Sequence, residues 1–141
     1  MLSRPGKPGR LFLLDLTMKK LTQLEYLAQW FGAYGLSVWL GYPAWWFWAW
    51  LLVPDLSMVG YLFNARLGAW CYNVGHHVLT AFLLAALGMG LDNEYLLFAG
   101  ILLWGHIGMD RVFGYGLKFE RGFKFTHLGK IGPEKDPVEL L

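Results

Sequence analysis

His106 and Asp110 stand four residues apart in the segment ILLWGHIGMDRVFGYGLK, a spacing that places an imidazole and a carboxylate on one face of a helix. Asp55 and His76 are likewise embedded in apolar stretches. Two histidines and two aspartates form a donor set for a divalent metal: neutral imidazole suits zinc or iron, and each carboxylate adds negative charge. A metal held this way lowers the pKa of its bound water toward about 7, which permits attack on an ester or phosphoester. Asn73, His77 and His127 are candidates to orient such ligands. Arg111, Tyr115 and Lys118 stand where an anionic head group would be held.

These residues are expensive where they are. The 141-residue chain is 56% hydrophobic and 18% aromatic, with only 16% charged residues, against about a quarter charged in a soluble domain. A globule this small cannot bury so much apolar surface, whereas a lipid bilayer accepts it. Ionisable groups at membrane depth face a bundle interior, a partner or a water-filled cavity. Cys71 is the only cysteine, which excludes an intrachain disulfide and a cysteine-based zinc site; it reads as a small apolar residue. The run LFLLDL is interrupted by Asp15 and has no small-residue cleavage site after it, so no cleaved signal peptide is read.

The elements that must position the polar residues follow from hydropathy. The expected fold is an all-α membrane protein, a bundle of four transmembrane helices at about 23–41, 44–63, 66–89 and 94–114, each near the roughly 20 residues that span a bilayer core. Residues 1–20 form a basic amphipathic arm whose Leu11, Leu14 and Met18 suit the membrane surface. Residues 21–117 form the transmembrane domain and 118–141 a cytoplasmic tail. Gly41-Tyr42-Pro43 separates the first two spans, and Pro54 is expected to kink the second. Gly60, Gly68, Gly75, Gly88, Gly105 and Gly108 lie on the spans, where small residues allow close helix approach.

Loop charge sets orientation. The arm, the loop holding Arg66 and the tail are basic, while the turns at 41–43 and 90–94 carry no Lys or Arg. Both termini therefore face the cytoplasm, and the expected location is the bacterial inner (cytoplasmic) membrane, crossed several times. Because the basic clusters flank membrane segments, nucleic acid is not an expected partner. At 1.5 Å per residue, Asp55, His76 and His106 lie about 12–15 Å from the inner boundary, Asn73 about 10 Å and Asp110 about 6 Å. All fall in the cytoplasmic half, on three different helices.

Plainer roles compete for the same residues. Asp110 can pair with Arg111, Arg66 or Lys118 and staple the bundle; His76 and His106 can hydrogen-bond across helices; Asp55 can restore backbone bonding at the Pro54 kink. A histidine ligating haem or a pigment is a further alternative, with eight Trp as the apolar wall. In function, metal-dependent hydrolysis of a lipid-like substrate stands beside a non-catalytic subunit of a larger membrane complex, with its Trp-rich second span as docking face, or a homo-oligomer. A transporter is a third class, though four spans need a dimer to enclose a pathway.

The stretches VPDLSMVGYL, GAWCYNVGHH, GHIGMDRVFGYGLKF and GFKFTHLG, in that order, resemble the DUF4260 family of small bacterial integral membrane proteins. The resemblance covers about residues 22–129. It carries Asp55, Ser57, Tyr61, Arg66, Tyr72, Asn73, His76, His106, Asp110, Arg111, Tyr115, Lys118, Thr126 and His127, while His77 stands where the family pattern tends to have a Thr-like residue. What the resemblance implies is a four-helix membrane protein with a shared polar motif and no agreed activity.

Overall fold

Where the chain bends is decided by a few residues that interrupt backbone hydrogen bonding. The computed structural model describes residues 8–132, with side chains from residue 13 onward. Arg4 and Lys7 of the basic arm and the acidic end from residue 133 lie outside the described residues. Helix α1 runs Pro8–Trp39, opened by a proline whose missing N–H costs nothing in a first helical turn. It ends at Gly41, whose φ of 93° suits only glycine. Helix α2 is short, Ala44–Trp50, and gives way to a 3-10 segment over Val53–Leu62. Helices α3 (Ala65–Gly75), α4 (Val78–Gly90) and α5 (Glu94–Val112) follow. A two-stranded antiparallel ribbon, Phe125–Thr126 against Gly129–Lys130, closes the described chain.

Three of these helices start at side-chain caps, each satisfying an orphan backbone N–H. Asn64 Oδ1 accepts from Leu67 N at 2.7 Å, and Asn93 Oδ1 accepts from Leu96 N at 3.0 Å. His77 does the same for α4, its Nδ1 accepting from Leu79 N at 3.1 Å. Extended backbone at His77 (φ −87°, ψ 132°) therefore both ends α3 and starts α4. The hydroxyl of Thr80 donates back to Val74 O at 2.7 Å, occupying a carbonyl the break leaves free.

The fold is all-helical apart from the ribbon, but the expected spans are less regular than their hydropathy suggests. Residues 44–63 are not one kinked helix: α2 stops after seven residues and the rest is 3-10. Residues 66–89 are two helices bent by 48° at His76 and His77. The arm and the first span, expected as separate segments, form one helix over its described length. Among the described residues no single helix is long and apolar enough to cross a membrane; the bent α3–α4 pair together meets that measure by length and composition only. Even so, much large apolar surface is exposed, including Trp39 at 79%, Leu62 at 83% and Phe63 at 75%. Soluble monomers rarely leave so much of it facing water.

Helix α5 is the hub, packed between α1 and α4, while α3 packs on the 3-10 segment. Phe47, Leu51, Phe98, Ile101 and Leu102 form one core with Ala33, and Ala81, Leu103 and Ile107 form a second on the other side of α5. Glycines set these distances. A Cβ on Gly88 would collide with the backbone of Leu97, and one on Gly100 with the backbone of Ala85. On the opposite face of α5, a Cβ on Gly105 would press into Phe47 and Ala33. Replacing Gly100 by valine is expected to destabilise the fold by about 1–3 kcal/mol, the usual cost of overpacking, and to lower the thermal midpoint in detergent. Gly35→Ala, in open space on α1, is the control and should leave the midpoint unchanged or raise it.

Candidate metal centre

Both helix breaks lie beside the same cluster; the first frees a backbone carbonyl for it, and at the second a histidine turns its ring onto a last-turn carbonyl of its own helix. In a continuous α-helix the N–H of Asp55 would bond Leu51 O. Within the 3-10 segment it bonds Leu52 O instead, at 3.2 Å, because the 3-10 pattern reaches back three residues rather than four. Leu51 O is thereby left for His106, whose Nδ1 lies 2.7 Å away. At the end of α3, His76 Nδ1 lies 3.0 Å from Tyr72 O. A carbonyl only accepts, so both Nδ1 atoms donate and both rings are held in the Nδ1–H form. Ser57 Oγ lies 3.4 Å from His76 Nδ1.

The remaining ring nitrogens then face each other. His76 Nε2 and His106 Nε2 are 2.9 Å apart, with both histidines buried. Asp55 Oδ1 lies 3.5 Å from each of them. Asp110 approaches His76 at 3.6 Å through Oδ2 and His106 at 3.7 Å through Oδ1. One ligand atom from each of the four residues falls within 4.8 Å of every other. Bonds of about 2.0–2.2 Å from a single ion put right-angled ligand atoms about 2.9 Å apart, and tetrahedral angles open this to about 3.6 Å. The four side chains could therefore hold one metal ion.

A ring of oriented groups surrounds them. The hydroxyl of Tyr72 donates to Asp110 Oδ2 at 2.6 Å, and its ring stacks on His76 at 3.8 Å. Tyr72 and His76 are themselves four residues apart on α3, the spacing of His106 and Asp110 on α5. Tyr72 was named only among the residues the family motifs carry, and that repeated spacing was the further signal for its role. Nothing in the sequence pointed to Leu51, because its contribution is a carbonyl exposed by a helix break.

The other candidates separate. Asn73 works on the tail: Lys118 N donates to its Oδ1 at 2.7 Å and its Nδ2 donates to Lys118 O at 2.8 Å. This two-bond clamp turns the tail back over the cluster, so Lys118 is only 3% exposed. Lys118 and Tyr115 line a cavity of about 280 Å³ that also touches Asp55 and Asp110. Burial holds the Lys118 ammonium below the ordinary lysine range, opposed by Asp110 and Asp55. Arg111 points elsewhere, its guanidinium 5.4 Å over the ring of Tyr26 on α1. His77 is spent on capping α4. Arg66 pairs with Glu120 at 3.6 Å in the open, rather than with Asp110.

His127 fastens the tail from its far side, with Nδ1 accepting from Leu117 N at 2.8 Å and its own N–H donating to Leu117 O at 3.0 Å. Burial and then the charge of Arg111 push its pKa below the ordinary 6.5. The detached tail thus binds the proton more readily than the docked one, so docking is fully stabilised above about pH 6.5 and weakens as the pH falls below it. Hydrogen-exchange protection of residues 117–130 should decline on acidification through that range while α4 and α5 stay protected. In His127→Asn, whose amide oxygen can still accept from Leu117 N, the decline should disappear.

Residues 19–131 match the model of a family described as Domain of unknown function (DUF4260). No curated protein and no solved structure matches the chain. The family match takes in both helix breaks, all four cluster residues, Lys118 and His127. The resemblance carried by the motifs around Asp55, His76 and His106 is borne out, and the chain belongs to the DUF4260 family.

Proposed function

We propose that this is a multi-pass bacterial inner-membrane protein that holds a divalent ion, zinc or iron, on Asp55, His76, His106 and Asp110, and uses it to hydrolyse a lipid-like substrate. The observation that carries the metal reading is the contact between His76 Nε2 and His106 Nε2 at 2.9 Å. With both Nδ1 protons committed to Leu51 O and Tyr72 O, two neutral rings would present lone pair to lone pair. Such a contact is repulsive unless a cation or a proton lies between; two flanking carboxylates stabilise either, and four converging ligand atoms suit a metal ion.

The bilayer reading draws on the exposed apolar surface and on where the chain is irregular. Non-helical backbone is tolerated at membrane depth only where protein buries it or a cavity is lined by it. The breaks at Leu51–Leu52 and His76–His77 both lie beside the buried cluster, as discontinuous helices do at membrane binding sites. Both termini then face the cytoplasm, with the cluster in the inner half. The 2.9 Å approach of the two Nε2 atoms suits a single small ion between them better than a haem or pigment.

A divalent ion supplies Lewis-acid polarisation and a hydroxide-forming water position when bound. The chain's own groups arrange the rest. Tyr72 holds Asp110 by its hydroxyl, the two carbonyls orient the imidazoles, and Asp55, with 31% of its side chain exposed, is the more open of the two carboxylates that line the cavity. Protein purified in mild detergent should carry about one equivalent of metal per chain. His106→Ala and His76→Ala should lower this to background, and Tyr72→Phe, which keeps the stacked ring, should weaken metal affinity by about 10–100-fold. Folded wild-type protein that takes up no stoichiometric metal would overturn the reading, leaving a shared proton between the rings. Metal-loaded protein that turns over no ester or phosphoester amphiphile would remove the hydrolytic part alone.

A further inference from the structure

The geometry points to a binding site for a phosphate-bearing amphiphile in the cavity beside the His/Asp cluster, with the Lys118 ammonium as its counter-ion. Lys118 Nζ is buried and makes no hydrogen bond among the described residues. Its surroundings are three ring faces, with Phe123 at 4.1 Å, Tyr72 at 5.0 Å and Tyr115 at 5.2 Å from their centroids. Rings stabilise a cation but offer its N–H groups no acceptor. Burying an ammonium without an acceptor is costly. The Asn73 clamp holds the chain here, since it fixes the Lys118 backbone through two hydrogen bonds. A lysine held in place with three unused donors, facing a cavity, is arranged for an anionic oxygen.

The cavity defines what that anion belongs to. Its volume of about 280 Å³ is near the lower end for small-molecule sites, enough for a head group rather than a whole lipid. It meets Asp55 and Asp110 on one side and Lys118 on the other. With a divalent ion bound, two carboxylates, the ion and the ammonium sum to about one positive charge, which favours an anion over a neutral or cationic head group. A tetrahedral phosphate has oxygens to spare for both the ion and the lysine, whereas a carboxylate has only two on one carbon. Phe113 and Phe123 line the cavity and are themselves exposed, which offers apolar surface to a hydrocarbon tail. Arg111 takes no part, being stacked over Tyr26.

The proposal rests on the metal reading for the second contact, and on Lys118 alone for the first. Dodecyl phosphate, inorganic phosphate and dodecyl maltoside serve as probes, with binding to full-length protein followed by tryptophan fluorescence and by displacement in a nonionic detergent. Dodecyl phosphate should bind at least about tenfold more tightly than either of the other two, and Lys118→Met should lower its affinity by about tenfold or more, the loss of one charge-assisted contact. Lys118→Arg should retain part of it. Metal content and helical circular dichroism of Lys118→Met should match wild type, which separates a lost anion contact from a lost fold. Equal binding of dodecyl phosphate to wild type and to Lys118→Met would overturn the proposal, as would equal binding of dodecyl maltoside. Inorganic phosphate binding as tightly as dodecyl phosphate would overturn the amphiphile assignment. Lysine-dependent binding in protein that holds no metal would support the Lys118 contact while removing the metal reading, so the two failures are distinguishable.

Discussion

Two backbone carbonyls hold this site together. Leu51 O and Tyr72 O each accept from the Nδ1 of a histidine, and in doing so turn the two Nε2 atoms toward one point. Neither carbonyl is an incidental neighbour. The Leu51 carbonyl is available because the backbone changes from α to 3-10 at that place, and the Tyr72 carbonyl lies in the last turn of a helix that stops at Gly75. Without the first break His106 loses the carbonyl that sets its tautomer and direction, whereas Tyr72 O accepts the backbone N–H of His76 at 2.8 Å as well as its ring N–H. The irregular backbone is therefore not a blemish on an all-helical fold. It is how the fold acquires a polar centre.

The same breaks explain why the helices must be held closely elsewhere. Helix α5 carries His106 and Asp110, and α1 and α4 grip it through glycine contacts at Gly105 and Gly100, where small residues let backbones approach. His76 and Asp55 reach the centre from less regular elements, α3 and the 3-10 segment, which pack on each other at Gly68 and Gly75. A rigid half and an interrupted half thus meet at four side chains. The tail closes the remaining side, drawn in by Asn73 and His127, and brings Lys118 to the edge of the same cavity.

Much of this was legible before any coordinates. The apolar composition, the turn at Gly41-Tyr42-Pro43 and the family motifs pointed to helices in a membrane-like setting. Counting residues at 1.5 Å per step put Asp55, His76, His106 and Asp110 at related depths. Depth says nothing about rotation, however, so a shared pocket needed the fold. Periodicity also missed both interruptions. Pro54 suggested a kink, but the 3-10 segment depends on tertiary packing against α3, and an apolar run through His76-His77 reads as one helix because hydropathy is blind to which backbone N–H a histidine ring caps. Lys118 was placed at the start of the cytoplasmic tail and named with Arg111 as a holder of an anionic head group, but nothing in its neighbours shows that Asn73, forty-five residues away, would hold its backbone and bury it. Arg111 beside Asp110 looked equally suited to an anion, and only its position over Tyr26 separates the two.

The central claim is that one ion sits where the two imidazoles and two carboxylates converge. An X-ray absorption spectrum of the purified protein, recorded at the edge of whichever metal it carries, tests this most directly. The account predicts only nitrogen and oxygen donors at about 2.0–2.2 Å, with the outer-shell scattering of two imidazoles, one of which is lost in His106→Gln. A fully hydrated ion, a sulfur donor, or an imidazole signal unchanged by His106→Gln would contradict it.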